Sequence, residues 1–192
     1  MTLSTTVAER SRRRPPVLAL GGGAGAGKTT LASALVERVD GACVVHLDAC
    51  YQSDPAVAPS LPRFDGGGRV VDRSAPEAID RERVVATLTE ELGAAPPLVV
   101  VEGMFALVLP YLDEWIRWRV YLDLPADVRL ARKTLRSLDE GRDPSAALRG
   151  YLERGRDAHQ RLVGPSREGA DLVIDATQEL EAQVAQLLIL VR

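Results

Sequence analysis

Gly22-Gly23-Ala24-Gly25-Ala26-Gly27-Lys28-Thr29 fits the pattern G-x-x-x-x-G-K-[ST]. The apolar stretch Val17-Leu18-Ala19-Leu20 precedes it, and a helix-type stretch from Thr30 to Arg38 follows. Strand, glycine loop and helix are the context in which this pattern cradles phosphate. The glycines let main-chain N–H groups turn inward, and the start of the helix adds about half a positive charge. Lys28 would reach the terminal phosphates, and the Thr29 hydroxyl would ligate Mg²⁺. The competing reading is a glycine-rich turn between strand and helix with a chance lysine.

Working outward, five short apolar segments read as strands: Val17–Leu20, Cys43–Leu47, Leu98–Val101, Arg119–Asp123 and Asp171–Asp175. Helix-type stretches separate them, at 30–38, 77–92, 125–138 and 145–162, and a last helix spans 179–191. Strands alternating with helices predict a parallel sheet covered on both faces. Such sheets bind ligands beyond the carboxyl ends of their strands, which puts the glycine loop, Asp48, Glu102 and Asp123 on one rim. The segment Ser53–Ala75, rich in Pro, Gly and Asp, reads as a long functional or disordered loop. Pro110–Trp115 reads as a short helix.

The 192 residues make most simply one domain, 16–192, after an arm at 1–15 whose Arg12-Arg13-Arg14 cluster reads as solvated and disordered. The apolar fraction of 46% and charged fraction of 27% are those of an ordinary globular chain. A net charge of −3 gives no reason to expect nucleic acid or an anionic membrane as partner. Two cysteines, Cys43 and Cys50, form neither a zinc pattern nor a disulfide framework. With no signal peptide evident, a cytoplasmic setting is expected.

On the rim, Glu102 closes an apolar strand beside Thr29 and is a candidate Mg²⁺ ligand, direct or through water. Its alternative is an ordinary charged strand end. Asp48 follows strand two and could orient or take a proton from an acceptor hydroxyl. Carboxylates are weak bases near neutral pH, so alignment would be its main work. Its alternative is a turn or helix-capping aspartate. A basic set, Arg129, Arg132, Lys133 and Arg136, shares a helix, with Arg142 in the following turn. One well-placed arginine can contribute roughly 10³–10⁵ in rate. For Arg129 and Lys133 a solvated face is the expected role. His46 reads as a core or rim residue, His159 as a surface residue, and Trp115 and Trp118 as packing.

In this order the motifs resemble the uridine kinase branch of the phosphoribulokinase/uridine kinase family. The family loop G-G-S-x-S-G-K-T-T is matched by Gly22-Gly23-Ala24-Gly25-Ala26-Gly27-Lys28-Thr29-Thr30. Its D-x-F-Y element is matched by Asp48-Ala49-Cys50-Tyr51, and its strand ending in E-G by Val99–Gly103. Its lid pattern is matched by Arg129, Arg132 and Arg136 with Gly141-Arg142-Asp143, and Tyr151 and Pro165–Ile174 match its tail. The resemblance implies a three-layer P-loop NTPase fold with a helical lid over about 129–160. It also implies ATP with Mg²⁺ as donor, and Lys28, Asp48, Arg132 and Arg136 as catalytic residues. Arg142 would join the loop in holding ATP, and Tyr51, Asp72 and Glu102 would stand on the acceptor side.

Three departures concern that acceptor side. Ser74 stands where the family has a ribose-binding aspartate, with Asp72 as a candidate substitute. Cys50 replaces the phenylalanine of D-x-F-Y. The hairpin that grips the base is missing, since only Gly93–Pro97 fills its interval. Base recognition would then fall to Ser53–Ala75 or to another subunit of a homo-oligomer. The expected activity is therefore phosphoryl transfer to a small-molecule hydroxyl, by family default that of uridine or cytidine. The alternatives are a non-nucleoside or other riboside acceptor, a nucleotide-binding regulator without acceptor chemistry, and, last, a motion-coupled NTPase.

Overall fold

Side chains alternate across a strand, so an all-apolar run must be buried on both faces. Strand β1 (Val17–Gly21) meets that condition along its whole length. Val17 and Ala19 pack into one core, and Leu18 and Leu20 into the other. The computed structural model describes residues 15–64 and 66–192. The arm expected over 1–15, with its arginine cluster, lies, apart from Pro15, outside the described residues.

Four strands join β1: β2 (Cys43–His46), β5 (Val99–Glu102), β6 (Ile116–Asp123) and β7 (Leu172–Asp175). The sheet order is β2-β5-β1-β6-β7, and every pairing is parallel. The expected five-stranded parallel sheet thus forms. Helices α1 (Lys28–Val36) and α6 (Leu180–Val191) cover one face through Leu31, Leu35, Val184 and Leu187. Helix α2 (Arg81–Gly93) and the segment after β5 cover the other, through Val84, Leu88, Phe105 and Leu112. Each such fully buried side chain stabilises the fold by about 1.5–3 kcal/mol.

Register fixes the rim. Leu20 of β1 and His46 of β2 both lie opposite Glu102 of β5, and Asp123 of β6 lies opposite Asp175 of β7. The strand ends therefore bring the glycine loop, His46 and Glu102 together from separate parts of the chain.

Local structure departs from the sequence-based expectation in four places. The segment 53–75 contains an antiparallel hairpin, β3 (Ser60–Pro62) and β4 (Arg69–Val71), with Leu61 opposite Val70. Strands of three residues, one ending in proline, carry too little alternation to be read from sequence. The helix expected from 77 starts at Arg81, after a tight turn over Pro76–Ala78, because Asp80 caps it through Arg83 N at 3.1 Å. The short helix expected at 110–115 is a single 3₁₀ turn, Pro110–Leu112. The helix expected over 145–162 is interrupted. After α3 (Ala126–Asp139), α4 (Pro144–Gly150) passes into wide turns at Tyr151–Gly155 and His159–Val163, which flank a short segment α5 (Arg156–Ala158). Such widened turns leave backbone groups without the regular helical ladder and gather at functional sites.

Candidate active site

The glycine loop is shaped against Arg129. Gly25 has φ 84°, and a Cβ there would stand 2.5 Å from the Arg129 carbonyl oxygen. A Cβ on Gly23 would collide with the Arg129 guanidinium. Arg129 is 4% exposed, and its Nε donates to the Leu124 carbonyl at 3.0 Å. It is thus no solvated helix residue, which corrects the expectation. Periodicity marks which residues share a face, not which loop packs on that face.

Helix α1 starts at Lys28 with Gly27 at its cap, and no side chain caps it. Its first-turn N–H groups face the cleft as an anion site. Lys28 is 8% exposed, and its Nζ donates to the Gly23 carbonyl at 3.0 Å. Burial pushes its pKa down, while the carboxylates of Glu102 and Asp48 pull it back up.

Thr29 Oγ1 donates to Glu102 Oε1 at 3.1 Å. The same oxygen lies 2.8 Å from His46 Nδ1. Glu102 is 4% exposed, so its charge rests on these two partners and on Lys28. Among the described residues no three His, Cys, Asp or Glu side chains gather into a metal cage. A magnesium ion here would rest on Thr29, Glu102, phosphate oxygens and water, the usual economy of Mg²⁺ sites. His46 is a contact that sequence reasoning missed; it becomes a neighbour of Glu102 only through the register of β2 on β5.

Asp48 occupies a 3₁₀ turn, Leu47–Cys50, directly after β2. It is exposed on the cleft wall and makes no hydrogen bond or ion pair with a described residue. It neither caps a helix nor closes a turn with its side chain. Tyr51 is buried, and its hydroxyl donates to the Arg73 carbonyl at 2.9 Å. Burial, with Asp48 and Asp72 adding to it, raises its pKa. Tyr51 is therefore a wall of the cleft whose polar end is committed. Cys50 faces the core, 3% exposed.

Asp72 lines the cleft, and its Oδ1 accepts from Ser74 N at 2.9 Å and Ser74 Oγ at 2.6 Å. The residue at the missing aspartate's position thus ties down its candidate substitute. Gly93–Pro97 forms a tight connection from α2 to β5, with Ala95 at φ 51°. Leu61, Phe64, Val70 and Val71 of the β3–β4 hairpin line the cleft instead.

The cleft, about 1220 Å³, is roofed by α3, α4 and the wide turn Tyr151–Gly155. Arg132 and Arg136 are exposed on its wall, and Arg142 pairs with Glu140. Lys133 is half-buried, and burial lowers its pKa, with Arg136 and Arg142 adding to that effect. His159, expected at the surface, is half-buried on the cleft wall 3.4 Å from the Tyr121 hydroxyl. Burial lowers its pKa to about 4, with Arg129 and Lys28 acting the same way and Asp123 opposing.

Comparison with known proteins agrees with the fold. The family model described as "Phosphoribulokinase / Uridine kinase family" matches residues 75–182. A Zeta toxin model matches 2–51, the segment that carries the glycine loop. The chain is 33% identical to a uridine kinase of Deinococcus deserti, over 84% of this chain and 87% of that one. It is 28% identical to a uridine kinase of Clostridium botulinum, over 84% and 88%. Shikimate kinase from Acinetobacter baumannii, solved in complex with shikimate, shares the fold with a TM-score of 0.56 and 20% identity, over 92% of this chain and 93% of that one.

Proposed function

Since the chain belongs to the phosphoribulokinase/uridine kinase family of kinases, we propose that it transfers the γ-phosphoryl group of ATP, with Mg²⁺, to a hydroxyl of a small molecule held beside Asp48. The observation that carries this reading is a carboxylate, Asp48, without a partner among the described residues and facing the same cleft as an uncapped helix start and the Thr29–Glu102 pair.

Phosphoryl transfer asks for positioning and charge compensation more than covalent chemistry. Bound ATP–Mg²⁺ supplies the reactive phosphoryl group and a divalent charge. The amides of Gly22, Gly23, Ala24, Gly25, Ala26 and Gly27, with Thr30 in the first turn of α1, would hold the phosphates. Lys28 would leave the Gly23 carbonyl for a phosphate oxygen, a charged partner in place of a neutral one. Thr29 and Glu102 would hold the metal. Asp48 would orient the acceptor hydroxyl and take its proton as the new O–P bond forms and the β–γ bond breaks, the electron pair leaving on ADP. Arg132, Arg136 and Arg142 would offset the charge that develops.

Among the described residues no helix is long and apolar enough to cross a membrane, and both cysteines are free thiols.

The test is acceptor-dependent ADP release with ATP, Mg²⁺ and a panel of nucleosides, sugars and hydroxy acids. Asp48→Asn is expected to lower kcat by roughly 10²–10⁴ while the KM for ATP holds. The engaged side chains of Tyr51 and Asp72 favour a second reading, a nucleotide-binding regulator. ATP binding with no turnover on any acceptor, unaffected by Asp48→Asn, would establish it.

A further inference from the structure

Past Asp48 the cleft changes character. Arg132, Arg136 and Arg142 stand at the glycine-loop end, on the α3 side. At the other end stand Arg73, beside Asp72 and Ser74, and Arg154 from the roof. A smaller adjoining cavity, about 250 Å³, shares Asp72, Ser74 and Arg154.

Arg73 is held in place at both of its ends. Its carbonyl takes the Tyr51 hydroxyl, and its guanidinium lies over the Tyr51 ring, 5.2 Å from the centroid. Tyr51 belongs to the same short segment as Asp48, so this guanidinium is fixed on the acceptor side of Asp48, away from the glycine loop. Neither Arg73 nor Arg154 has a carboxylate partner among the described residues. The acids nearby are Asp48, Asp72, Glu77, Glu153 and Asp157. Of these, Asp72 is engaged by Ser74, and Asp157 is paired with Arg161.

What this end lacks is equally specific. An uncharged base edge alternates donors and acceptors, and a side-chain amide matches that alternation best. The chain has no asparagine, and none of its five glutamines lines the cleft. The hairpin wall offers the apolar side chains of Leu61, Phe64, Val70 and Val71 together with Arg63, and no side-chain amide. A guanidinium fork, in contrast, matches a carboxylate or a phosphate.

Resting on the kinase reading above, we infer that the acceptor is a small hydroxylated anion, carrying a carboxylate or a phosphate, whose charge is met by Arg73 and Arg154. Asp48 would then face a hydroxyl of a molecule anchored at its far end by charge. A neutral nucleoside offers these arginines only uncharged acceptors, which form the weaker kind of hydrogen bond.

Matched probes test this: glycerate against glycerol, ribose 5-phosphate against ribose, and uridine and cytidine as neutral nucleosides. Binding is measured by calorimetry with the ATP analogue AMP-PNP and Mg²⁺ present, and turnover by ADP release with ATP. The expected result is binding and turnover of a charged member and not of its neutral twin; which pair responds separates carboxylate from phosphate. Arg73→Gln is expected to raise the KM of that acceptor roughly 10- to 100-fold with the KM for ATP unchanged, and Arg73→Lys to recover part of the loss. Arg154→Gln, on the exposed roof, is expected to act in the same direction should the Arg73 variants fail to fold. Arg73-dependent binding of a charged probe without turnover would sustain the anion site and overturn the kinase reading. Turnover of uridine or cytidine in preference to every charged probe would overturn the anion site and sustain the kinase reading. Failure of all charged probes to bind at millimolar concentration would overturn the anion site outright.

Discussion

Thr29 Oγ1 and Glu102 Oε1 stand 3.1 Å apart across 73 residues of sequence. One lies in the first turn of α1, the other at the end of β5, and the pairing of β1 with β5 brings those two ends together. A hydroxyl and a carboxylate at this separation, with His46 on the same carboxylate oxygen, form a hard-oxygen pair suited to Mg²⁺. Glu102→Gln keeps the shape and removes the charge. Its apparent Mg²⁺ affinity is expected to fall roughly 10- to 100-fold, read from the Mg²⁺ dependence of ADP release at saturating ATP. An unchanged Mg²⁺ curve would remove Glu102 from the metal site.

Lys28 rests on the Gly23 carbonyl and is the buried cation of the loop. Lys28→Ala is expected to reduce kcat/KM for ATP by at least about 10²-fold, since a charged donor aimed at transition-state charge acts in a water-poor site. Its circular dichroism spectrum should match wild type, because burial already disfavours the charged lysine. Wild-type kinetics in this variant would show that the loop is not used as proposed.

Arg129 and the glycine loop hold each other. Arg129→Ala leaves the Leu124 carbonyl without its donor and opens space beside Gly23. A destabilisation of about 2–3 kcal/mol is expected in urea titration, together with weaker ATP binding. Gly25→Ala places a side chain at φ 84° against a backbone oxygen. About 1–3 kcal/mol of strain is expected there, with the same loss of ATP affinity. Stability unchanged in both variants would dissolve the clamp.

His159 gives the fold a pH dependence with a defined sign. Its folded pKa is lowered from 6.5 to about 4, by burial first and by the cations Arg129 and Lys28, against the opposing Asp123. The unfolded chain therefore binds the proton at higher pH than the folded one. The stability it contributes is full above about pH 6.5 and is lost as pH falls from there towards 4. Half-exposure screens the effect, so a shallow slope is expected. Chemical denaturation at pH 7, 6, 5 and 4 should show a smaller acid loss in His159→Gln. Equal slopes in variant and wild type would mean that His159 titrates as it does in the unfolded chain.

The sequence by itself determined what is written in contiguous residues. A strand buried on both faces must be apolar throughout, so β1 and β5 stand out as Val17–Leu20 and Leu98–Val101. A phosphate cradle needs glycines, a lysine and a hydroxyl at fixed short spacing, so the loop and its family were legible before any fold was known. The rim that carries Asp48 and Glu102 followed from the rule for parallel sheets. Tertiary structure alone decided the partnerships across long separations. His46 is opposite Glu102 because β2 pairs with β5 in one register. Arg129 is buried because α3 leans on the glycine loop, whereas Arg132 and Arg136 on the same helix stay exposed. Tyr51 fixes Arg73 at the far end of the cleft, 22 residues away. Local spacing encodes backbone geometry, but burial and hydrogen bonding are set by whichever surface the folded chain brings opposite.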